Sequence, residues 1–363
     1  MKNKYLLFTL ILLFLNTSIL AFDINPVKLE WYHIPLIPFV YALNKISETY
    51  NNFAKIKTSN ALHYYAEKNQ LNDSDFTQIQ SQIQSGIDIN QKNYEGNTPL
   101  FLALMHLTNE SKIRFIEVLL KKGSDLNLKN KQNQSILDLI PRALRDDEYS
   151  NSNTLWIKTI SLLLDYKLNI NQLNLDSKTL LQDALAEGNL KMAIFLLERG
   201  FTLNIKSKDD TNPILSFHWH FSGDDREVKR ALDLTLKMLK VFVAKGGNLN
   251  AENSTGSVLH HACFSNNNIE LVRFLLKNGA SQSVNHIVRG DSPLHRTIFH
   301  MTHKDSLVVV KLLLENGADV NLKNENGETA LDVAKFKAVS GFSKEERDLA
   351  NKAVKLLEVK GTK

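Results

Sequence analysis

Cysteine and proline are both scarce in this chain. Cys263 is the only cysteine among 363 residues, so no disulfide can form within the chain. It stands beside Ala262 on a predicted helix, where we expect a buried and unreactive thiol. The chain has seven prolines, and 43% of its residues are hydrophobic. A chain of this length and composition can bury a substantial core without covalent cross-links.

No large excess of either charge is present. Lysine and arginine number 44, aspartate and glutamate 39, and the formal net charge is +5. Without the first 21 residues, which contain two lysines and no acid, the net charge is +3. Such a balance gives no reason to expect a nucleic-acid partner.

The common catalytic signatures are missing as well. The sequence has no Walker loop, no G-x-S-x-G, no H-E-x-x-H and no pair of cysteines. These motifs support phosphate chemistry, acyl transfer and zinc hydrolysis. We therefore expect no catalytic residues, no cofactor and no enzymatic activity.

The first 21 residues have the layout of a secretory signal peptide. Lys2 and Lys4 precede an apolar stretch, 5–15, and Ala21 is the expected last residue before cleavage. The apolar stretch is short for a membrane-spanning helix. An uncleaved membrane anchor is the alternative, because Leu20 and Phe22 extend the apolar character. Either way, we expect the rest of the chain outside the cytoplasm.

One segment recurs along the remainder of the chain. ELVRFLLKNGASQS at 270–283 reappears as VVVKLLLENGADVN at 308–321, and weaker copies lie upstream. The position that ends each copy is glycine six times and Lys167 once. Two of the six spacings between these positions are 33 residues and the others are longer. The pattern indicates a 33-residue unit that carries insertions. The recurring segment forms the second helix of each unit, and its apolar residues lie in one stripe.

A second motif precedes each of these segments. It reads TPLFLA at Thr98, SVLHHA at Ser257 and SPLHRT at Ser292. Serine or threonine before proline is typical of a helix start, and glycine after the last apolar turn is typical of a helix end. The two motifs, repeated in register over 59–358, resemble the ankyrin repeat.

That resemblance implies an all-α, ankyrin-repeat solenoid of helix-turn-helix units with short hairpin fingers. The expected organisation is a signal peptide at 1–21, a capping segment at 22–58, a solenoid of about seven units at 59–340 and a capping helix at 341–363. Ser343 and Glu346 predict a capping box that opens the last helix. Membrane contact is the alternative role for 22–58, which is rich in aromatic residues.

Two surfaces are candidate binding sites for a partner protein. The resemblance points to the fingers together with the concave face of the first helices. Lysines recur in the fingers, one finger carries an aromatic residue, and these side chains favour an acidic partner surface. The finger candidates are Lys92, Tyr94, Lys129, Lys131, Lys206, Lys208 and Lys323. Ordinary solvated lysine is the competing interpretation.

The second surface is a predicted ridge of insertions between first and second helices. These insertions are expected at 105–112, 141–156, 216–230 and 299–306, and Trp156 and Trp219 are their candidate contact residues. Insertions in repeats often map to a binding face. Surface loops also tolerate extra length at little entropic cost, so the ridge need not bind anything.

Histidine pairs in two insertions raise the possibility of a metal site. His218 and His220 flank one tryptophan, and His300 and His303 are three residues apart. Neither pair supplies the three or four ligands that zinc requires, so no metal ligand is assigned. By contrast, His260 and His295 stand in the T-P-L-H motif, where the resemblance implies hydrogen bonding within the repeat turn.

The sequence therefore predicts a non-catalytic protein-interaction scaffold, exported to the periplasm or secreted, and expected to be a monomer. Its protein partner is not identified by the sequence. Contact with a membrane is expected only if the signal segment is retained. The alternatives are a secreted effector that acts on host proteins and a metal-binding protein that uses the histidine-containing insertions.

Overall fold

The computed structural model describes residues 59–140, 151–203, 212–217, 224–264 and 268–361. The predicted signal peptide and the capping segment 22–58 lie outside these ranges. All described residues belong to the unit Lys55–Lys363. No helix in this part of the chain combines the length and apolar composition needed to cross a membrane.

Helices of 7 to 20 residues make up most of the described chain, and most of them form pairs, as the sequence predicts. The helices are α1 (Ala61–Glu67), α2 (Asp73–Gln84), α3 (Pro99–Met105), α4 (Glu110–Lys121), α5 (Asn151–Asp165), α6 (Leu180–Ala186), α7 (Leu190–Glu198), α8 (Asp225–Ala244), α9 (Val258–Phe264), α10 (Ile269–Lys277), α11 (Pro293–Phe299), α12 (Asp305–Glu315), α13 (Ala330–Ser340) and α14 (Lys344–Gly361). Three 3₁₀ turns lie at Ile136–Asp138, Pro213–Ser216 and Ala280–Ser283. The strands β1 (Glu252–Asn253) and β2 (Gly256–Ser257) form an antiparallel hairpin.

Helices stack in two layers. First helices of successive repeats contact one another, as α1 contacts α3, and as α9, α11 and α13 do in turn. Second helices do the same from α4 through α5, α7, α8, α10 and α12 to α14. The apolar stripes lie between these layers, with Val272, Leu275 and Leu313 among the fully buried side chains. The predicted all-α repeat architecture is confirmed.

Helix boundaries follow from the residues that sequence analysis identified. Thr98 Oγ1 accepts a hydrogen bond from Phe101 N at 3.2 Å, and Pro99 occupies the first turn. The terminal glycines adopt positive φ, for example 106° at Gly279, and Lys167 in the glycine-free repeat does so at 67°. Ser343 Oγ accepts from Glu346 N at 3.0 Å and caps α14 as predicted, whereas the Glu346 carboxylate accepts from Phe342 N at 3.2 Å and not from Ser343 N as a capping box requires. These caps satisfy backbone groups that a helix leaves unpaired at its ends.

Asparagine side chains join neighbouring repeats. Asn90 accepts a hydrogen bond from Asp125 N at 2.9 Å, and its amide donates to the carbonyl of Gly123. Asn285 makes the same two contacts with Asp319 N and Gly317 O, at 2.8 and 2.9 Å. Each such amide therefore satisfies the end of the next repeat's second helix, where a carbonyl has no intrahelical partner.

Lys112 joins the first two repeats through the core. Its side chain is fully buried in α4, and its ammonium donates to the carbonyls of Tyr65 and Ala66 near the end of α1. A cation at a helix C-terminus is favourable, yet burial penalises the charge. Desolvation lowers the pKa of Lys112 to about 8, against a smaller opposing effect of Glu67.

A histidine at the third position of a first helix links that helix to the next repeat. The backbone N–H of Ser257 donates to His260 Nδ1 at 3.2 Å, so the proton of the neutral ring lies on Nε2. Nε2 donates to the carbonyls of His286 and Asp291. His63 and His295 repeat this arrangement with Asn97 O and Glu328 O, at 3.1 Å each. The predicted structural role of His260 and His295 is confirmed.

Raising the pH should stabilise the protein through Lys112. Its pKa of about 8 lies below the ordinary 10.5, so the unfolded chain binds more protons between these values. Stability therefore rises with pH across that window. Between pH 7 and pH 10 the wild type should gain roughly 2 kcal/mol relative to Lys112→Met, measured by urea unfolding. The exposed Lys240→Met should show no such change, and parallel curves for wild type and Lys112→Met would contradict the prediction.

Lowering the pH should destabilise the protein through His260. Burial, followed by the charge of Arg296, lowers the pKa of His260 to about 4, below the ordinary 6.5. The unfolded chain therefore takes up the proton first, and stability falls as the pH drops through this window. His260→Gln is the matched variant, because Gln182 holds the same position in α6. From pH 7 to pH 5 the wild type should lose roughly 2 kcal/mol more than His260→Gln; a constant difference would refute this.

Candidate protein-binding surface

The fingers are tight turns between the second helix of one repeat and the first helix of the next. In the first finger, Asn93 N donates to Asn97 O at 3.0 Å. The second finger repeats this contact between Asn130 N and Gln134 O, also at 3.0 Å. Lys131 N donates to Glu95 O at 3.0 Å and holds the two fingers side by side. They therefore form one continuous edge.

Gly96 permits that close approach. Its φ is +79°, and a Cβ at this position would lie 2.6 Å from Lys131 N. Any other residue would push the two fingers apart or strain the backbone. The placement of the neighbouring side chains thus depends on this glycine.

Four of the predicted finger residues come together on this edge. Lys92 Nζ donates to the carbonyl of Lys129 at 2.7 Å. The ammonium of Lys131 lies 4.4 Å from the centre of the Tyr94 ring, a cation–π geometry. All four side chains are exposed. We call Lys92, Tyr94, Lys129 and Lys131 the finger patch.

Other predicted finger residues are not part of this patch. Lys323 is exposed in the last finger, several repeats away, where its backbone bridges to Thr329. That finger is joined to the preceding one by Glu325 N, which donates to Gly290 O at 2.9 Å. Lys206 and Lys208 lie outside the described residues.

The predicted insertion ridge is only partly described, and one of its residues is misplaced. Trp156 is 5% exposed on α5, which begins at Asn151, so the prediction that it lies on an exposed ridge is wrong. Residues counted as an inserted loop form the start of a second helix, whose apolar face packs into the core. Trp219, His218 and His220 lie outside the described residues.

Histidines of the last insertion have partners other than a metal. The ring of His300 packs edge-on between Phe264 and Phe299, with ring centres 4.4 and 5.0 Å away. His303 Nδ1 lies 3.4 Å from Asp305 N, at the start of α12. Within the described ranges, no group of three histidine, cysteine, aspartate or glutamate side chains is arranged to hold a metal ion. Cys263 is buried as predicted, and burial raises the pKa of its thiol to about 12.

A row of phenylalanines, not predicted from the sequence, lies on three adjacent first helices. Phe264, Phe299 and Phe336 are 51%, 58% and 67% exposed. Each stands seven residues after the residue that caps its helix, and α9, α11 and α13 contact in series. Comparing the repeats at this one position would have revealed the row. Large apolar side chains in a line on a surface are typical of binding sites.

An open pocket of about 380 Å³ lies along this row, between α11 and α13. Phe299, Phe336 and Val333 supply its apolar wall. Asp291 and Glu328 supply two carboxylates on the polar side. Pockets that combine apolar walls with a few polar groups are typical ligand sites.

Comparison with family models agrees with this architecture. A model of three ankyrin repeats matches residues 259–340, and a model of a single ankyrin repeat matches residues 95–131. The first match covers the helices that carry the phenylalanine row. The second includes Lys129 and Lys131 of the finger patch and begins just after Lys92 and Tyr94.

Curated relatives share the repeats and differ in length. Two ankyrin repeat proteins of Acanthamoeba polyphaga mimivirus are each 26% identical, over 68% and 80% of this chain and over 29% and 44% of their own length. A protein of Plasmodium falciparum, named as an E3 ubiquitin-protein ligase, is 35% identical over 81 residues, which are 21% of this chain and 1% of that protein. The matches thus span less than half of each relative.

A solved ankyrin repeat domain from Acinetobacter baumannii aligns with 59% of this chain and 96% of its own, at 25% identity and a TM-score of 0.45. The two family models and the capped, stacked helix pairs described above identify the repeats. Repeats of this kind serve as protein-interaction modules. Residues 95–131 and 259–340 of this chain are therefore ankyrin repeats.

Proposed function

We propose that this protein is a non-catalytic scaffold that binds a partner protein through the finger patch. The observation that carries the proposal is the convergence of three lysines and Tyr94 on two joined fingers. Separate lysines in solvated turns would not be fixed relative to one another. Here a backbone contact and a cation–π contact fix two of the ammonium groups.

The chemistry of the patch favours an acidic segment of the partner. Lys129 and Lys131 are exposed on the same finger, and Tyr94 offers a flat, amphipathic surface beside them. Complementary charge of this kind accelerates association and fixes orientation. Glu95 is exposed beside the patch, and its single negative charge does not balance the three lysines.

We also propose that the protein is exported and acts in the periplasm or after secretion. The layout of residues 1–21 supports this, and the buried Cys263 requires no reducing compartment. A scaffold without disulfides can fold on either side of a membrane. The proposed location therefore depends on the signal segment alone.

Charge reversal in the second finger should abolish partner capture. Lys129→Glu/Lys131→Glu reverses two charges and leaves the Lys92 contact, which uses a backbone carbonyl, in place. Lys237→Glu/Lys240→Glu on α8 is the matched control, because both lysines are exposed on a second helix. The wild type should capture partner proteins from the cell-envelope fraction. The captured amount, measured by quantitative mass spectrometry, should be at least ten-fold lower with the finger variant and unchanged with the control.

Two results would count against these claims. Equal capture by the finger variant and the wild type would remove the finger patch as the binding surface. Absence of any protein enriched over empty beads with every bait would overturn the scaffold itself.

Export predicts a shortened mature protein. Mass spectrometry of the protein isolated from its own cells should show Phe22 as the first residue, because cleavage is expected after Ala21. Fractionation should place it in the periplasm or the medium. A protein that retains Met1 and sediments with membranes would indicate an anchor, and one found in the cytoplasm would refute export.

A further inference from the structure

We propose that the pocket between Phe299 and Phe336 receives an arginine side chain of the partner protein. This inference rests on the proposed scaffold function and deepens it, since it names the chemistry that a second surface recognises. We call this site the Phe299–Phe336 pocket.

Its apolar wall suits the aliphatic stem and flat face of an arginine. The two rings are more than half exposed, and Val333 closes the wall between them with its buried side chain. A guanidinium stacks on aromatic faces and is more weakly hydrated than an ammonium. A lysine would gain less from the same rings for that reason.

The polar side supplies the negative charge. The Oε2 atom of Glu328 accepts a hydrogen bond from the Asn324 amide at 3.1 Å, and the Asn326 amide is 3.5 Å away. The remaining oxygen, Oε1, has no hydrogen bond within the described chain. An orientated carboxylate with one open oxygen is well placed to accept from an incoming guanidinium.

Asp291 adds a second carboxylate to the pocket, which has no lysine or arginine in its lining. Its carboxylate makes no hydrogen bond within the described ranges. Arg296 is near enough to interact with it electrostatically. The guanidinium of Arg296, however, donates to the carbonyl of Val288 at 3.4 Å and is half-buried.

His295 does not compete for the ligand. Its Nδ1 bonds to Ser292 at 2.7 Å and its Nε2 donates to Glu328 O at 3.1 Å. Both ring nitrogens are thereby occupied. The side chains that line the pocket thus carry a net negative charge, and an uncharged apolar ligand would supply no hydrogen-bond donor to Glu328 Oε1 or to the carboxylate of Asp291.

Saturation-transfer NMR with the full chain tests the proposal. The probes are N-acetyl-arginine amide, its citrulline counterpart, which has the same shape without the charge, and N-acetyl-norleucine amide. At low salt the arginine probe should give a signal at least five-fold stronger than either neutral probe. The signal should decline in 0.5 M NaCl, as expected for an exposed charged contact.

Matched variants locate the binding site. Glu328→Gln keeps the contact with Asn324 and removes the charge, and Phe336→Ala removes one ring; each should lower the arginine signal at least five-fold. Glu315→Gln and Phe342→Ala are the controls, since Glu315 is exposed on α12 and Phe342 is 100% exposed outside the pocket. Thermal melting of each variant verifies that it folds. If Phe336→Ala does not fold, the result for Glu328→Gln decides the outcome.

The outcomes separate this inference from the scaffold proposal. Equal signals from arginine and citrulline, or stronger binding of norleucine, would overturn the arginine pocket, as would an unchanged signal in Glu328→Gln. Partner capture that still depends on the finger lysines would then leave the scaffold standing. Conversely, arginine binding without any captured protein would support the pocket chemistry and refute the scaffold.

Discussion

In the described part of the stack, repeats depend on their neighbours to satisfy the ends of their helices. A second helix ends at a glycine whose carbonyl has no partner within its own repeat, and an asparagine of the preceding repeat supplies the N–H. The apolar stripes are divided between neighbours in the same way. The stability of such a stack is approximately a sum of repeat and nearest-neighbour terms. A single weak junction therefore lowers the stability of the two repeats that it joins.

The junction between the first two repeats differs from the others in its chemistry. Lys112 carries a buried charge to the carbonyl end of α1, where the remaining junctions described above use neutral amides or imidazoles. A buried cation costs desolvation energy that a helix terminus only partly offsets. We therefore expect the stability of this first junction to respond to alkaline pH.

Local signals made most of this fold predictable from the sequence. A cap residue, a proline or a terminal glycine acts within one turn of its own position, so Thr98 and Gly279 could be assigned without knowing their neighbours. The role of Ser343 as the cap of the last helix was readable for the same reason.

Features that need two repeats in register were harder to predict. Trp156 was misplaced because counting extra residues does not tell whether they form a loop or lengthen a helix, and α5 absorbs that tryptophan into its buried face. Lys112 was overlooked because its partners belong to another repeat. The phenylalanine row emerges only when three helices are aligned side by side. The finger lysines were identified as a group, but the joining of two fingers through Lys131 depends on tertiary structure.

The third residue of the first helices shows how one position can both cap its own helix and bond to the next repeat. In α9 and α11 it is histidine, which bonds its own cap residue through Nδ1 and donates to the next repeat through Nε2. Asp138 in the glycine-free repeat instead accepts, from Leu175 N of the following repeat at 2.6 Å. The side chain is thus the acceptor here and the donor in the histidine repeats, and both contacts join neighbouring repeats. Because an aspartate cannot donate when ionised, the following finger must present an N–H where the histidine repeats present a carbonyl. The identity of this one side chain therefore constrains the backbone of the next finger, and with it the surface available to a partner.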